Sequence, residues 1–211
     1  MPRTLTEQEK CRICDRLLEK GREIVLSQGI KRISVDDIVK AAGIAKGSFY
    51  QHFESKEKFL FALIEKIHRQ LFTQAEQMIK DSFSNETDLH ENARTFIKNL
   101  FHMPEMAFFT KNEHNIEEIF FGFMGDEEIR TFKQMEVELF EKMLKLAGAD
   151  TARVKPGVVH NYIHTLYLMM NSDLMTTENL LETVDLITDS LISYILSSAR
   201  RCTSPGTERG C

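Results

Sequence analysis

Proline occurs only four times in 211 residues, and no Asn-Gly or Asp-Gly pair is present. Apolar and polar residues nowhere settle into a period-two alternation. The usual signals of strands and hairpins are therefore missing, which points to an all-α chain. No apolar run reaches the ~20 residues that a membrane-spanning helix needs. Met1 to Lys20 is polar and lacks the apolar segment of a secretory leader. A cytoplasmic protein with no membrane partner is the expectation. Four cysteines are too few and too scattered for a disulfide framework in a chain of this kind. Cys11 and Cys14 form a C-x-x-C, but inside a helical pattern and with no second ligand pair, so two ordinary helix residues are expected. No nucleophile elbow, phosphate loop or Gly-rich nucleotide fingerprint occurs. Neither an enzyme nor a bound cofactor is expected.

What is present is an ordinary globular mixture, 42% hydrophobic and 28% charged, long enough for one large domain or two small ones. The net charge of −5 is unevenly spread. Residues 1–60 carry 12 Lys and Arg against 9 Asp and Glu, whereas the remainder carries 15 against 23. A mildly basic front on an acidic body suits contact with nucleic acid at one end.

The stretch from Ile33 to Lys56, ISVDDIVKAAGIAKGSFYQHFESK, is the most informative. Ser34 suits an N-cap with Asp37 answering it as a capping box, and Ile33 and Ile38 suit a hydrophobic staple. Val35, Ile38, Val39 and Ala42 keep helical spacing until Gly43, which can take the left-handed conformation that ends a helix. Ile44 plugs the turn, and a second short helix follows over about Ala45 to Gln51. Helix, glycine turn, helix is the shape of a DNA reader whose second helix enters the major groove.

The rest of the chain also reads as helix. A first helix is expected over Thr6 to Gln28, where Gly21 costs about 1 kcal/mol relative to Ala and so implies a close helix–helix contact. Ser55 should cap a long fourth helix running to about Ile79. The sequence Asp81 to Asp88 breaks it, and a fifth helix over Thr87 to His102 stops before Pro104. The Phe- and Met-rich segment 103–125 is expected to be irregular or made of short helices, because Gly122 and Gly125 interrupt it. Helices over Asp126 to Ala147, Pro156 to Met175 and Thr177 to Ala199 complete the chain, Pro156 suiting a first turn and Thr177 a capping-box start. The last two are apolar over much of their circumference, as helices that pair with a twin would be. Cys202 and Cys211 fall in a polar tail, 201–211, expected to be disordered.

From Lys46 the pattern becomes more specific. The string IAKGSFYQHFESKEKFL, preceded by VDDIVKAAG, resembles the hallmark of the TetR family of transcriptional regulators over about Leu17 to Leu63. The resemblance implies a three-helix DNA-binding domain, 1–55, followed by a larger helical domain, 56–200, for effector binding and dimerisation. It also implies a repressor that grips a palindromic operator in double-stranded DNA as a homodimer, paired through the last two helices. By position, the DNA contacts would come from Ser34, Val35, Ala45, Lys46, Gly47, Ser48, Tyr50, His52 and Lys56. Lys46 and Ser48 open the reading helix, and Gly47 lets the backbone approach closely. Tyr50 and His52 match the family's phosphate-contacting pair, and Lys56 opens a helix whose free N–H groups favour phosphate. Phe49 and Phe53 would pack inward. Two positions depart from the family. Ala45 stands where a hydroxyl residue usually caps the reading helix, and Val25 where phenylalanine is common.

The family also implies release of DNA by a small-molecule effector that binds the released state better. Phe108, Phe120 and Met124 offer an apolar, adaptable lining. His160, His164, Tyr167 and Asn171 share one stripe of the penultimate helix and offer polar anchors. An apolar or amphipathic effector is therefore expected. His160 and His164 also have the i, i+4 spacing of a metal pair, but with no third ligand at suitable spacing no metal is assigned. The other reading is a DNA-binding regulator without such an effector, controlled by a protein partner or by cysteine oxidation, or acting as an activator.

Overall fold

The computed structural model describes residues 6–82, 88–123, 125–170 and 178–197, apart from the side chains of Thr110, Glu113, Phe120, Phe121 and Glu128. Among these residues there are nine α-helices and no strand: α1 Glu7–Gln28, α2 Val35–Ala42, α3 Lys46–His52, α4 Lys56–Ser82, α5 Leu89–Phe101, α6 Pro104–Phe123, α7 Asp126–Leu146, α8 Pro156–Met170 and α9 Leu180–Leu196. The all-α expectation holds. The expected capping-box start at Thr177 and the tail 201–211 lie outside the described residues, as do Phe120's side chain, Met124, Asn171, Cys202 and Cys211.

By contact the chain forms two compact units, Met1–Ala75 with Asn99–Gln134, and Glu76–Lys98 with Met135–Cys211. The first is built around Leu17 and Val25 of α1, Ile38 of α2, Phe49 of α3, Phe59, Leu63, Ile64 and Ile67 of α4, and Phe108 of α6, all of them buried. Gly21 is buried where α1 crosses α4. A Cβ built on it would lie 2.5 Å from Phe59 Cζ and 3.3 Å from Leu63 Cδ2. The close helix–helix contact expected there is present.

In the second unit Leu166 of α8 and Leu191 and Ile192 of α9 are fully buried. The two helices are tied at their polar edges. The Lys155 N–H donates to the Tyr194 hydroxyl at 3.0 Å, and the hydroxyls of Tyr162 and Ser190 are 3.1 Å apart. Arg94 of α5 pairs with Asp189 and, at 3.6 Å, with Asp185 of α9.

Segment 103–125 corrects the expectation of short or irregular helices. Pro104–Phe123 is one 20-residue helix. Pro104 opens it, where proline needs no amide partner and its fixed φ favours the first turn. Gly122 falls in the last turn, where the cost of glycine to helix continuity is smallest. Glu105, Phe108 and Asn112 are buried along one face, at i, i+3 and i+7. The glycines mark the end of this helix rather than breaks within it.

Two buried polar residues of α6 fasten it to α1 and to the residues just after α1 within the first unit. Glu105, 1% exposed, pairs with the Arg22 guanidinium, and Gln74 Nε2 donates to the same Glu105 oxygen at 3.4 Å. Asn112 Oδ1 accepts the Ile30 N–H at 3.2 Å, while its Nδ2 donates to the Phe108 carbonyl at 2.8 Å.

Candidate nucleic-acid interface

The turn that shapes this surface is set by three residues. Ser34 Oγ accepts the Asp37 N–H at 3.1 Å, and Asp37 Oδ2 accepts the Ser34 N–H at 3.2 Å, so the capping box closes as its sequence indicates. These hydrogen bonds hold the Asp37 carboxyl below the ordinary aspartate range. Gly43 ends α2 in the left-handed conformation, φ 66° and ψ 39°, and the Ile44 N–H returns to the Val39 carbonyl at 3.0 Å. A side chain with Cβ would be strained there. Ala45 occupies the N-cap of α3 with no side-chain hydrogen bond, as its methyl group requires.

Beneath α3 lies a phenylalanine cluster. Phe49 is fully buried and Phe53 nearly so. The rings of Phe49 and Phe59 are 5.4 Å apart, and Phe53 meets Phe59 edge to face at 5.0 Å. Such contacts contribute about 0.5–1.5 kcal/mol each beyond area burial. Both phenylalanines point inward as expected, and a seven-residue helix too short to be stable alone is held by them.

The opposite side of α3 is open. Lys46 and Gly47 are exposed, and a Cβ built on Gly47 meets nothing within 4 Å. Ser48 is half-buried, and Tyr50 is 50% exposed with its ring edge-on to Phe49. His52 is half-buried, and its Nε2 is buried with no hydrogen-bond partner. Lys56 is half-buried as the first residue of α4, whose opening turn is capped by Ser55 Oγ accepting the Lys58 N–H at 3.2 Å. Val35 is 8% exposed and belongs to the core. What it can offer a phosphate is its amide, not its side chain.

One partner was not visible in the sequence. The Lys46 ammonium lies 2.9 Å from Asp36 Oδ1 and 3.2 Å from Oδ2. The hydrogen bond and charge of Asp36 hold the lysine above its ordinary range. The two residues are ten apart in sequence, and only the Gly43 turn brings them together.

The residues expected to bind an effector are divided between the units. Phe108 is 3% exposed in the core of the first, its ring 5.3 Å from Phe109. In the second, His160, His164 and Tyr167 form a row of near-parallel rings, with centroids 6.1 Å and 5.9 Å apart. Phe140 of α7 meets His160 edge to face at 5.4 Å, and Glu136 Oε2 is 3.9 Å from His160 Nε2. That carboxylate comes from another helix and is not legible in the sequence around His160. Among the described residues no three His, Cys, Asp or Glu side chains form a set that could hold a metal. Cys11 is exposed and Cys14 half-buried, both as free thiols, and burial pushes the Cys14 thiol up, away from the reactive thiolate.

Residues 17–63 match the family described as "Bacterial regulatory proteins, tetR family". Over 43 residues the chain is 54% identical to the HTH-type transcriptional repressor DhaR of Mycobacterium sp. (strain GP1), covering 20% of this chain and 22% of DhaR. Over 74 residues it is 28% identical to the HTH-type transcriptional repressor NemR of Escherichia coli (strain K12), covering 35% of this chain and 37% of that protein. The matched part is thus well under half of either relative. In three dimensions the likeness extends further. A TetR-family transcriptional regulator from Pectobacterium atrosepticum superposes with a TM-score of 0.57, covering 93% of this chain and 99% of that one at 16% identity. At such identity the likeness is one of fold.

Proposed function

We infer that the chain is a transcriptional repressor of the TetR family, whose family model its residues 17–63 match. It grips a palindromic operator as a homodimer and is released by a small apolar or amphipathic effector. One observation carries the DNA-binding half of this reading. α3 is locked from below by Phe49 and Phe53, while Lys46, Gly47 and Tyr50 stand open on its other side. A rigid helix with one open face is what entry into the major groove requires. Val35 and Lys56 open α2 and α4, where first-turn amides favour phosphate, and Ser34 stands beside Val35 as the N-cap. The named function of DhaR and NemR supports repression over activation.

Homodimerisation is supported by the second unit. Leu168 and Met170 of α8 and Leu181 and Leu186 of α9 are apolar yet 44–78% exposed, the kind of surface an isologous partner would cover. The effector would meet the ring row of His160, His164 and Tyr167. No helix among the described residues is long and apolar enough to cross a membrane, in keeping with a cytoplasmic regulator.

The test is selection of duplexes from a random-sequence pool by the full chain, followed by binding at fixed salt. A palindromic site with half-sites about one helical turn apart, ~34–36 Å, is expected. Tyr50→Phe should weaken binding by about tenfold per subunit through loss of a hydrogen bond to a charged group. Operator affinity that survives both Lys46→Ala and Tyr50→Phe would remove α3 from the interface.

A further inference from the structure

Two acidic residues open α2, and they do different things. Asp37 is engaged in the capping box with Ser34. Asp36 turns toward α3 and chelates the Lys46 ammonium with both carboxylate oxygens, 2.9 Å and 3.2 Å away. Lys46 is the one lysine in the reading helix, KGSFYQH. Its side chain is 52% exposed and that of Asp36 72%, so both lie on the open side of the turn. The cation best placed to meet DNA is already neutralised by a neighbour that DNA repels.

We propose that Asp36 is an intramolecular competitor for Lys46, so that DNA binding proceeds by exchange of the ammonium from the Asp36 carboxylate to an acceptor on the nucleic acid. This rests on the reading of α3 as the DNA reader and adds a residue that sets its affinity. The exchange is a simple transfer of an ionic contact. The ammonium leaves Asp36, a DNA acceptor replaces the carboxylate, and the freed carboxylate takes up water and a counterion. A surface pair of this kind shifts an equilibrium about two- to fivefold. In a dimer with two readers the factor is squared, to roughly 4–25-fold. Because the freed carboxylate takes up a cation, it offsets part of the counterion release from DNA, and its removal should steepen the slope of log K against log salt by up to about 0.9 per contact.

The experiment uses the full chain and a duplex that the wild-type chain itself selects from a random pool. Affinity is followed by fluorescence anisotropy over a salt series for wild type, Asp36→Asn, Lys46→Gln and the double variant, with the weaker variants measured at low salt. The expected result is that Asp36→Asn binds roughly 4–25-fold tighter with a steeper salt slope, while adding Asp36→Asn to Lys46→Gln gains nothing. An equal gain in the Lys46→Gln background would show ordinary repulsion of Asp36 by DNA and overturn the exchange. Weaker binding by Asp36→Asn would overturn it too, because Asp36 would then be aiming Lys46 at its target. Selection of no duplex by wild type would count against the DNA reader itself, and so is distinct from either result. Melting curves establish that the variants are folded, as expected for a residue this exposed.

Discussion

Gly21 of α1 sits directly against the ring of Phe59 of α4, so close that a Cβ on the glycine would lie 2.5 Å from Cζ and 3.1 Å from Cε1. Phe59 is fully buried and is wedged between Phe49 and Phe53. The ring therefore cannot swing away without displacing the cluster that holds α3. Gly21→Ala should gain helix propensity yet destabilise the chain by a net ~1–3 kcal/mol through overpacking. Denaturant melts measure this, and Phe59→Leu in the same chain should restore part of the loss. A stabilised Gly21→Ala chain would show that α1 and α4 can separate freely there.

Gly47 has the opposite surroundings. Nothing lies within 4 Å of a Cβ built on it, and its backbone is helical without a positive φ. The free protein should accept Gly47→Ala and gain up to about 0.5–1 kcal/mol from reduced chain entropy. If α3 lies in a groove, the added methyl group meets DNA instead, and affinity should fall while the melting temperature rises or holds. Unchanged affinity in a stabilised variant would mean that the backbone at Gly47 does not approach DNA closely.

The part of the fold that could be read from the sequence is the part made by near neighbours. Ser34 answers Asp37, Gly43 ends a turn, and Phe49 and Phe53 fall on one face, all within a few residues of one another. The missed features are made by residues far apart in sequence. Asp36 reaches Lys46 across a turn, Glu105 reaches Arg22 across 83 residues, and Glu136 approaches His160 from another helix. Each of these carboxylates looks in the sequence like an ordinary solvated helix residue. Segment 103–125 conceals its helix for a related reason. Its glycines look like breaks until Pro104 is seen to start the helix and Gly122 to lie in its final turn.

The α2 capping box gives the molecule an acid-sensitive joint next to the reader. Asp37 is held below the ordinary value by the Ser34 hydroxyl and amide. Its folded pKa lies under its unfolded one, so its stabilising effect is present above the unfolded value of about 3.8 and fades as pH falls through the folded value. NMR titration should find the Asp37 carboxyl shifted down in wild type and returned toward the ordinary range in Ser34→Ala. The acid limb of the melting profile should flatten in that variant. A carboxyl that titrates identically with and without the serine hydroxyl would show that the cap is not formed in solution.

Arg22 and Glu105 test whether the α1–α6 attachment depends on charge or on shape. Glu105 is almost wholly inaccessible, and Arg22 also pairs with Glu19 at 3.3 Å. Removing one partner leaves the other desolvated and uncompensated, which in buried pairs costs about 3–5 kcal/mol. The lower end applies here, since the Arg22 side chain keeps 21% exposure and a second carboxylate. Glu105→Ala should therefore cost about 3 kcal/mol in urea unfolding, and Arg22→Met somewhat more, because it strands the carboxylate that has almost no exposure. The pair itself need not be stabilising, because its desolvation offsets most of its attraction. Replacing both with apolar residues of similar volume, Arg22→Met with Glu105→Met, should recover most of the loss, with a cycle coupling opposite in sign to the single effects. If the double variant were as unstable as the sum of the singles, the ion pair would not be the interaction that joins the two helices. The hydrogen bond from the Ile30 N–H, just beyond α1, to Asn112 Oδ1 would then have to hold them together.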